Sequence, residues 1–226
     1  MTPEQLLSYQ LPLFDGLSST DLANIPLAVT EQRVQAWQTI FDQQDRSFGL
    51  YFLLSGRLLA VLHTPDGREI VISRFSTGEY FGELAAIDGL PRSLAVLAKT
   101  DATLLAMQRT TFLALFDAVP AIRRKVAGGL AARIRSLTER NVEMATLSVE
   151  QRVCAYILRL AAGQGAASPG TMLDPAPTHA EIAGYIGTSR EMVSRSISRL
   201  SRQGVISAAR QRIEIVDPDA MAELLV

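Results

Sequence analysis

The pattern of hydrophobic and polar positions changes twice along the 226-residue chain. From about Gln35 to Met107, short apolar runs are broken by glycines at equal intervals. These glycines are Gly56, Gly67 and Gly78. Strands at such a spacing are typical of an antiparallel sandwich or barrel, and the segment Pro65-Asp66-Gly67 predicts a hairpin tip. The first 30 residues predict a helical cap on this sheet, with an N-cap at Ser18 or Ser19.

A long helix is predicted from about Pro120 to Ala145, since proline suits a first helical turn and no further proline follows. A stripe with alternating spacings of three and four residues gives it the a/d pattern of a coiled-coil seam. The stripe consists of Ala127, Leu130, Ile134, Leu137, Asn141 and Met144. The helix could pack on its own domain or pair with a second copy, and the narrow stripe favours the pair. Gly128 and Gly129 weaken the helix and so predict a close backbone approach.

The last part of the chain begins with a helix, VEQRVCAYILRLAAG, followed by a Gly-, Ala- and Pro-rich segment predicted to be a loop. Two short helices come next. Thr178 with Glu181 and Thr188 with Glu191 predict a capping box for each helix, and Gly187 lies in the turn between them. A short strand pair is predicted around VISAARQRIEIV. Two short helices joined by such a turn indicate a helix-turn-helix.

The second of these helices has two different faces. Val193, Ile197 and Leu200 recur at helical spacing and are predicted to face the core. The opposite face carries Arg190, Glu191, Ser194, Arg195, Ser198 and Arg202. Residues 188–213 contain six arginines and one glutamate, a local basic patch. In such motifs the N-terminal end of the second helix enters the major groove. There arginine can donate two hydrogen bonds to guanine, and glutamate can accept a hydrogen bond from the amino group of cytosine. DNA reading is therefore predicted, against the alternative of a solvated face.

The composition of the chain excludes several classes of function. The net charge of -1 gives no general affinity for nucleic acid, so a DNA partner must meet the local patch. One cysteine and two histidines argue against an intrachain disulfide, an iron–sulfur cluster or a zinc enzyme. No paired nucleophile and base is evident, so an enzyme is not expected. The N-terminus lacks the pattern of a signal peptide and no segment has the length of a membrane span, which predicts a cytoplasmic protein without a membrane partner.

A second candidate site lies in the sheet region, in GEYFGELAAIDGLPRSLAVLA, residues 78–98. Its glycines would let backbone N–H groups approach an anion, while Arg92 and Ser93 offer charge and a hydroxyl to a phosphate. Glu83 could accept hydrogen bonds from sugar hydroxyls. The alternative is a turn with a surface ion pair.

Both candidate sites resemble those of one family. Gly82-Glu83-Leu84-Ala85 followed by Pro91-Arg92-Ser93 resembles the phosphate-binding cassette of cyclic-nucleotide-binding domains. Ser189-Arg190-Glu191, with Val193 and Arg195, is similar to the recognition helix of CRP/FNR transcription regulators of bacteria. The resemblance extends over nearly the whole chain. It implies an α+β fold with an antiparallel β-roll sensor (1–118), a dimerisation helix (119–147) and a winged helix-turn-helix (148–226).

The resemblance also implies roles for particular residues. Gly82 and Glu83 would meet a ribose, Leu84 would line the pocket, and Arg92 with Ser93 would hold a cyclic phosphate. The complete expected ligand set is Gly82, Glu83, Leu84, Ala85, Arg92, Ser93, Arg133, Leu137 and Thr138. Positions 137 and 138 contact the purine in the family, and only Thr138 keeps a hydroxyl here. The expected DNA-binding set is Thr178, Ser189, Arg190, Glu191, Ser194, Arg195 and Arg199.

The function implied by the resemblance is that of a homodimeric regulator, paired through residues 120–145 and controlled by a cyclic mononucleotide, cAMP or cGMP. It would bind an inverted-repeat operator related to TGTGA and contact RNA polymerase. No metal or covalent cofactor is implied. Two alternatives stay open: a sheet domain that acts without an effector, and one that senses a different ligand, such as a cyclic dinucleotide.

Overall fold

The computed structural model describes residues 1–65, 69–163, 165 and 167–225. Contacts divide the chain into two compact units, one up to Ala132 and the other from Arg133 onward. This boundary lies inside the long helix, and the predicted divisions after residues 118 and 147 stay predictions. Two residues of the predicted hairpin tip, Asp66 and Gly67, lie outside the described residues.

In its described residues, the first unit contains two antiparallel sheets, as the spacing of apolar runs predicted. Their strand orders are β1-β8-β3-β6 and β2-β7-β4-β5. The strands are β1 (Val29–Val34), β2 (Thr39–Phe41), β3 (Leu50–Ser55), β4 (Leu58–His63), β5 (Glu69–Phe75), β6 (Tyr80–Phe81), β7 (Ala95–Ala98) and β8 (Ala102–Met107). Buried apolar residues from both sheets, such as Leu53, Ala60 and Val96, form one core cluster. The β-roll expected for the sensor is confirmed.

Short helices complete the first unit. They are α1 (Pro3–Leu7), a 3-10 turn (Pro12–Phe14), α2 (Ser19–Leu22), α3 (Glu83–Asp88) and α4 (Arg109–Ala118). The N-cap predicted at Ser18 or Ser19 is Ser18, whose backbone N–H donates to Asp21 Oδ2 at 2.7 Å. Leu6, Phe14 and Leu22 pack in one cluster with Phe112 of α4, so the N-terminal segment covers the apolar side of a sheet.

The long helix, α5, spans Pro120–Thr146, as the sequence predicted. Ile122 and Val126 near its start are buried. The predicted stripe farther along is exposed: the relative accessibility is 64% for Ile134 and 54% for Leu137. The predicted close approach holds for Gly129, where an added Cβ would lie 2.9 Å from the hydroxyl of Tyr80. At Gly128 no described atom beyond its chain neighbours and the backbone of its own helix lies within 4 Å of the corresponding position, so a close approach there stays a prediction.

The second unit continues with helices and a small sheet. Its elements are α6 (Val149–Ala162), β9 (Met172–Leu173), α7 (His179–Ile186), α8 (Arg190–Arg202), β10 (Ile206–Ala209), β11 (Arg212–Ile215) and α9 (Pro218–Glu223). The sheet order is β10-β11-β9. The predicted strand pair is thus present, but β9 lies in the segment predicted to be a loop. Val193, Ile197 and Leu200 are buried, as predicted.

Among the described residues, no helix combines the length and the apolar character needed to cross a membrane. The same residues contain no group of three or more histidine, cysteine, aspartate or glutamate side chains arranged to hold a metal ion.

Candidate ligand and DNA sites

The first residue of the predicted cassette, Gly82, depends on having no side chain. It precedes α3 with φ of 85°, a backbone conformation that favours glycine. A Cβ there would lie 2.5 Å from Nη1 of Arg92 and 2.9 Å from the carbonyl oxygen of Gly49. The glycine therefore allows the guanidinium group to lie directly against the start of α3.

Arg92 is the polar centre of the cassette. Its side chain is enclosed, with 2% relative accessibility. Nε donates to the hydroxyl of Ser47 at 3.1 Å, and Nη1 donates to the carbonyl of Gly82 at 2.9 Å. Nη2 donates to the carbonyl of Gly49 at 2.8 Å. The guanidinium carbon also lies 4.0 Å from the ring centroid of Phe41, in cation–π contact.

The charge of Arg92 is held in an apolar setting. Burial lowers the pKa of the guanidinium, while the negative charges of Glu83 and Asp45 act in the opposite direction. Arginine nevertheless stays protonated in proteins. Phe41, Tyr51, Phe75 and Phe81 form a chain of ring contacts with centroids 4.9 to 5.9 Å apart. These rings belong to a core cluster of the first unit, so the cation of Arg92 lies at the edge of that core.

The other expected cassette residues divide between interior and surface. Glu83 and Ala85 are buried, whereas Leu84 and Ser93 are exposed. The structure therefore brings Gly82, Glu83 and Arg92 together, while the hydroxyl of Ser93 lies at the surface.

Three expected ligand residues, Arg133, Leu137 and Thr138, lie on α5 in the second unit and are exposed. The Thr138 hydroxyl donates to the carbonyl of Ile134 at 3.0 Å, so its own helix already uses that proton. The proximity of these residues to the cassette stays a prediction.

The helix-turn-helix is fixed by its helix ends. Thr178 and Glu181 form the predicted capping box: Oγ1 of Thr178 accepts from the Glu181 backbone N–H at 3.3 Å, and the Glu181 carboxylate accepts from the Thr178 N–H at 2.7 Å. Gly187 ends α7 with φ of 67°, as the predicted turn requires. The capping box predicted for Thr188 and Glu191 is wrong. The N-cap of α8 is Ser189, whose hydroxyl accepts from the Met192 N–H at 3.3 Å.

The predicted reading face is largely solvent-accessible. Arg190, Glu191 and Arg195 are exposed near the start of α8, beside the cap Ser189. Hydrogen bonds from its own backbone N–H and from the Ser189 hydroxyl lower the pKa of Glu191, and the two arginines add to the effect. At neutral pH the face therefore presents two cations and a carboxylate, which suit guanine and cytosine edges.

Besides Thr178 and Ser189, which cap helices, two more expected DNA-binding residues have partners within the protein. Arg199 lies 3.2 Å from the carboxylate of Glu150 on α6, in an ion pair. Ser194 is partly buried and shares a 3.0 Å hydrogen bond with Nδ1 of His179. His179 belongs to none of the motifs found in the sequence. Its position directly after Thr178, the N-cap of α7, could have indicated that its side chain lies close to α8, the reading helix.

Two protein families match the parts of the chain that contain these candidate sites. A cyclic nucleotide-binding domain matches residues 31–118, and a Crp-like helix-turn-helix domain matches residues 151–224. The Cyclic AMP receptor protein of Thermus thermophilus is 31% identical over 217 residues, covering 94% of this chain and 96% of the relative. The chain belongs to the CRP/FNR family of transcription regulators. It is thus a family member with a cyclic-nucleotide-binding domain and a DNA-binding helix-turn-helix.

A further relative agrees with this assignment, and a solved structure has a similar fold. The cAMP-activated global transcriptional regulator CRP of Salmonella typhimurium is 28% identical over 178 residues, covering 78% of this chain and 85% of the relative. The c-di-GMP responsive global regulator CLP of Xanthomonas campestris has a similar structure. It gives a TM-score of 0.71 at 24% identity and covers 83% of this chain and 94% of that one. At this identity the structural similarity shows the fold alone.

Proposed function

We propose that this CRP/FNR-family protein is a homodimeric regulator whose affinity for DNA is set by a cyclic mononucleotide, with cAMP as the favoured ligand. Its operator would be an inverted repeat with TGTGA-like half-sites about one helical turn apart. The observation that carries the proposal is the pairing, in one chain, of an enclosed Arg92 beside Gly82 and Glu83 with an exposed Arg190-Glu191 reading face.

The preference for a small cyclic phosphate rests on the cassette. One guanidinium group, enclosed among aromatic rings, matches one phosphate charge. The Thermus and Salmonella relatives are both named for cAMP. Positions 137 and 138 offer the hydroxyl of Thr138 but none at Leu137, so we expect weak discrimination between adenine and guanine nucleotides.

The proposal of a homodimer rests on α5. Ile134 and Leu137 are more than half exposed on a stripe with coiled-coil spacing. Pairing with a second copy would bury them, at roughly 1.5–3 kcal/mol for each fully buried side chain. A two-fold pair would also present the two reading helices to successive major grooves of an inverted repeat. RNA polymerase is a further proposed partner of the DNA-bound dimer.

Calorimetry with cAMP, cGMP and cyclic di-GMP tests the ligand, and fluorescence anisotropy on a TGTGA inverted repeat tests the operator. A duplex with scrambled half-sites is the matched control. We expect cAMP to bind and to raise affinity for the repeat more than for the scrambled duplex. Binding of cyclic di-GMP alone would instead identify a different ligand, and equal affinity for both duplexes would exclude the proposed operator.

A second candidate function is a regulator that no cyclic nucleotide controls. The hydrogen bonds of Arg92 to Ser47, Gly82 and Gly49 favour it, because the guanidinium has internal acceptors without a ligand. Leu137 favours it too, since a leucine in the seam would stabilise helix pairing whether or not a ligand is bound. This candidate predicts sequence-specific DNA binding that none of the three nucleotides changes.

A further inference from the structure

The end of α5 contacts the helix-turn-helix through one aromatic side chain, Tyr185 of α7. The guanidinium carbon of Arg140 on α5 lies 4.6 Å from the centroid of the Tyr185 ring. Arg159 of α6 donates from Nη1 to the Tyr185 hydroxyl at 3.3 Å and forms an ion pair with Glu143 of α5. The ring of Tyr156 lies 4.4 Å from that of Tyr185. We refer to Arg140, Glu143, Tyr156, Arg159 and Tyr185 as the Tyr185 cluster.

The ring of Tyr185 is an important partner for Arg140. Nε of Arg140 is buried and has no hydrogen-bond acceptor among the described residues. A guanidinium without a hydrogen bond at this nitrogen is stabilised by the electron-rich face of an aromatic ring. The side chain of Arg140 is therefore held by the position of α7, and a displacement of α7 would leave it without this contact.

The same end of α5 also contacts the turn that precedes the reading helix. A Cβ on Gly187 would lie 2.9 Å from Sδ of Met144, so Met144 packs directly on this turn. Arg152 of α6 donates from Nη1 to the carbonyl of Ile186 at 2.9 Å. Residues 185–187, at the end of α7 and the start of the turn that leads to α8, are thus in contact with α5 and α6 at three successive positions.

The contacts on α5 lie close to its proposed pairing surface. At 100° per residue, Arg140 is about 60° around the helix from Leu137, and Met144 lies on the stripe itself. A rotation of α5 about its own axis, as the paired helices adjust, would move Arg140 and Met144 together. Because both contact the segment 185–187, such a rotation would act on the orientation of α8.

We propose that Tyr185 is a positioning residue that links the packing of α5 to the orientation of the reading helix. The inference rests on the proposed ligand control, because its measurable consequence is the ratio of DNA affinities with and without cAMP. A residue that merely stabilises the second unit would change both affinities equally. Loss of a coupling residue instead reduces their ratio, and by linkage it reduces the effect of DNA on cAMP affinity by the same factor.

The test compares Tyr185→Leu, which removes the ring and the hydroxyl, with Tyr185→Phe, which keeps the ring that contacts Arg140. Tyr9→Leu is the matched control, because Tyr9 donates its hydroxyl to Glu31 at 3.0 Å in the first unit. Anisotropy on the operator duplex gives the affinity ratio for each protein, and calorimetry with cAMP, with and without DNA, checks reciprocity. For a wild-type ratio of about tenfold or more, we expect Tyr185→Leu to bring it within twofold of one and Tyr185→Phe to keep most of it. Tyr9→Leu should leave the ratio unchanged.

Arg140→Gln provides a second test if Tyr185→Leu does not fold, since it removes the cation on the ring and keeps α7 intact. It should also reduce the ratio, with unchanged cAMP binding in the absence of DNA. A wild-type ratio well above one that persists in both Tyr185→Leu and Arg140→Gln, or in Arg140→Gln alone where the leucine variant is unfolded, would overturn the inference. A wild-type ratio of one is a different result: it would overturn the proposed ligand control, and the coupling role with it.

Discussion

Replacement of Arg92 by leucine separates the two roles that the structure allows this residue, which are to stabilise the sheet domain and to bind a phosphate. The leucine would leave the carbonyls of Gly82 and Gly49 without the donors that now lie at 2.9 and 2.8 Å. It would also remove the cation 4.0 Å from the Phe41 ring. A simple loss of ligand with an unchanged fold is therefore not expected.

The loss of folding free energy caused by Arg92→Leu can be estimated from these contacts. Hydrogen bonds to charged groups contribute roughly 1.5–3 kcal/mol each, and an acceptor left buried without a donor costs about 1–3 kcal/mol. Burial of the apolar leucine side chain offsets part of this loss of stability. The free-energy cost of removing the arginine cation from water is also absent in the variant. We expect the free energy of unfolding of the first unit to fall by about 2–4 kcal/mol.

Arg109→Leu is the matched control. Arg109 also donates to a carbonyl, that of Ala86 at 2.9 Å, and its guanidinium carbon lies 5.6 Å from the Phe48 ring centroid. It is outside the expected ligand set. Its replacement should cost about 1–2 kcal/mol and leave ligand binding intact.

Urea unfolding of the full chain, followed by circular dichroism with and without cAMP, distinguishes the two roles. A ligand present at about 100 times its dissociation constant stabilises the state that binds it by roughly 2.7 kcal/mol. Wild type and Arg109→Leu should show this gain. Arg92→Leu should have a lower free energy of unfolding without cAMP and show no increase when cAMP is added. A gain of equal size in Arg92→Leu would refute the assignment of Arg92 to the ligand phosphate.

The remaining predictions concern the second unit. Arg190→Ala should cost roughly 1–3 kcal/mol at one guanine of the operator and relax specificity there; an equal loss on all sequences in a binding assay would make Arg190 a phosphate contact instead. Leu137→Thr should lower the affinity for DNA without ligand and increase the ratio of DNA affinities with and without cAMP. A wild-type protein that does not bind DNA without ligand would contradict this reasoning. Burial, with a smaller effect from Arg190, lowers the pKa of His179, so the unfolded chain binds more protons and stability should fall as the pH drops below about 6.5. Urea unfolding at pH 7.5 and 5.5 should show a larger loss for wild type than for His179→Gln, whereas equal losses would exclude this effect.

The sequence predicted correctly those helix positions that depend on neighbouring residues. The start of α5 at Pro120 and the buried stripe of Val193, Ile197 and Leu200 follow from residue type and helical spacing alone. The cap of α8 was misplaced by one residue because Thr188 and Ser189 are both good N-caps. Their side chains alone do not determine which one leaves the helical conformation.

Features that depend on distant partners could not be predicted. Strand β9 has two residues, too few for a periodic pattern, and is defined by its pairing of Leu173 with Ile213. The sequence indicated a phosphate-binding arginine at position 92, but not its bond to the carbonyl of Gly49, 43 residues away in the chain. Tyr185 belonged to no motif, because its partners Arg140, Tyr156 and Arg159 lie on two other helices, α5 and α6.

The internal bonds of Arg92 also bear on how a ligand could act. The guanidinium links Gly49, just before β3, to Gly82, just before α3, through neutral carbonyl acceptors. A phosphate is a stronger acceptor than a carbonyl for the guanidinium group, because its negative charge adds Coulomb attraction and its oxygens can accept two parallel hydrogen bonds. We therefore expect a bound phosphate to compete with these carbonyls for the donors of Arg92 and to loosen the link between β3 and α3. Binding would then change the backbone at Gly82, at the start of the helix that carries Glu83 and Leu84. An uncharged ligand would gain little over the carbonyls that it displaced, so the enclosed arginine would give the pocket a preference for an anion and would link ligand binding to movement of the backbone at Gly82.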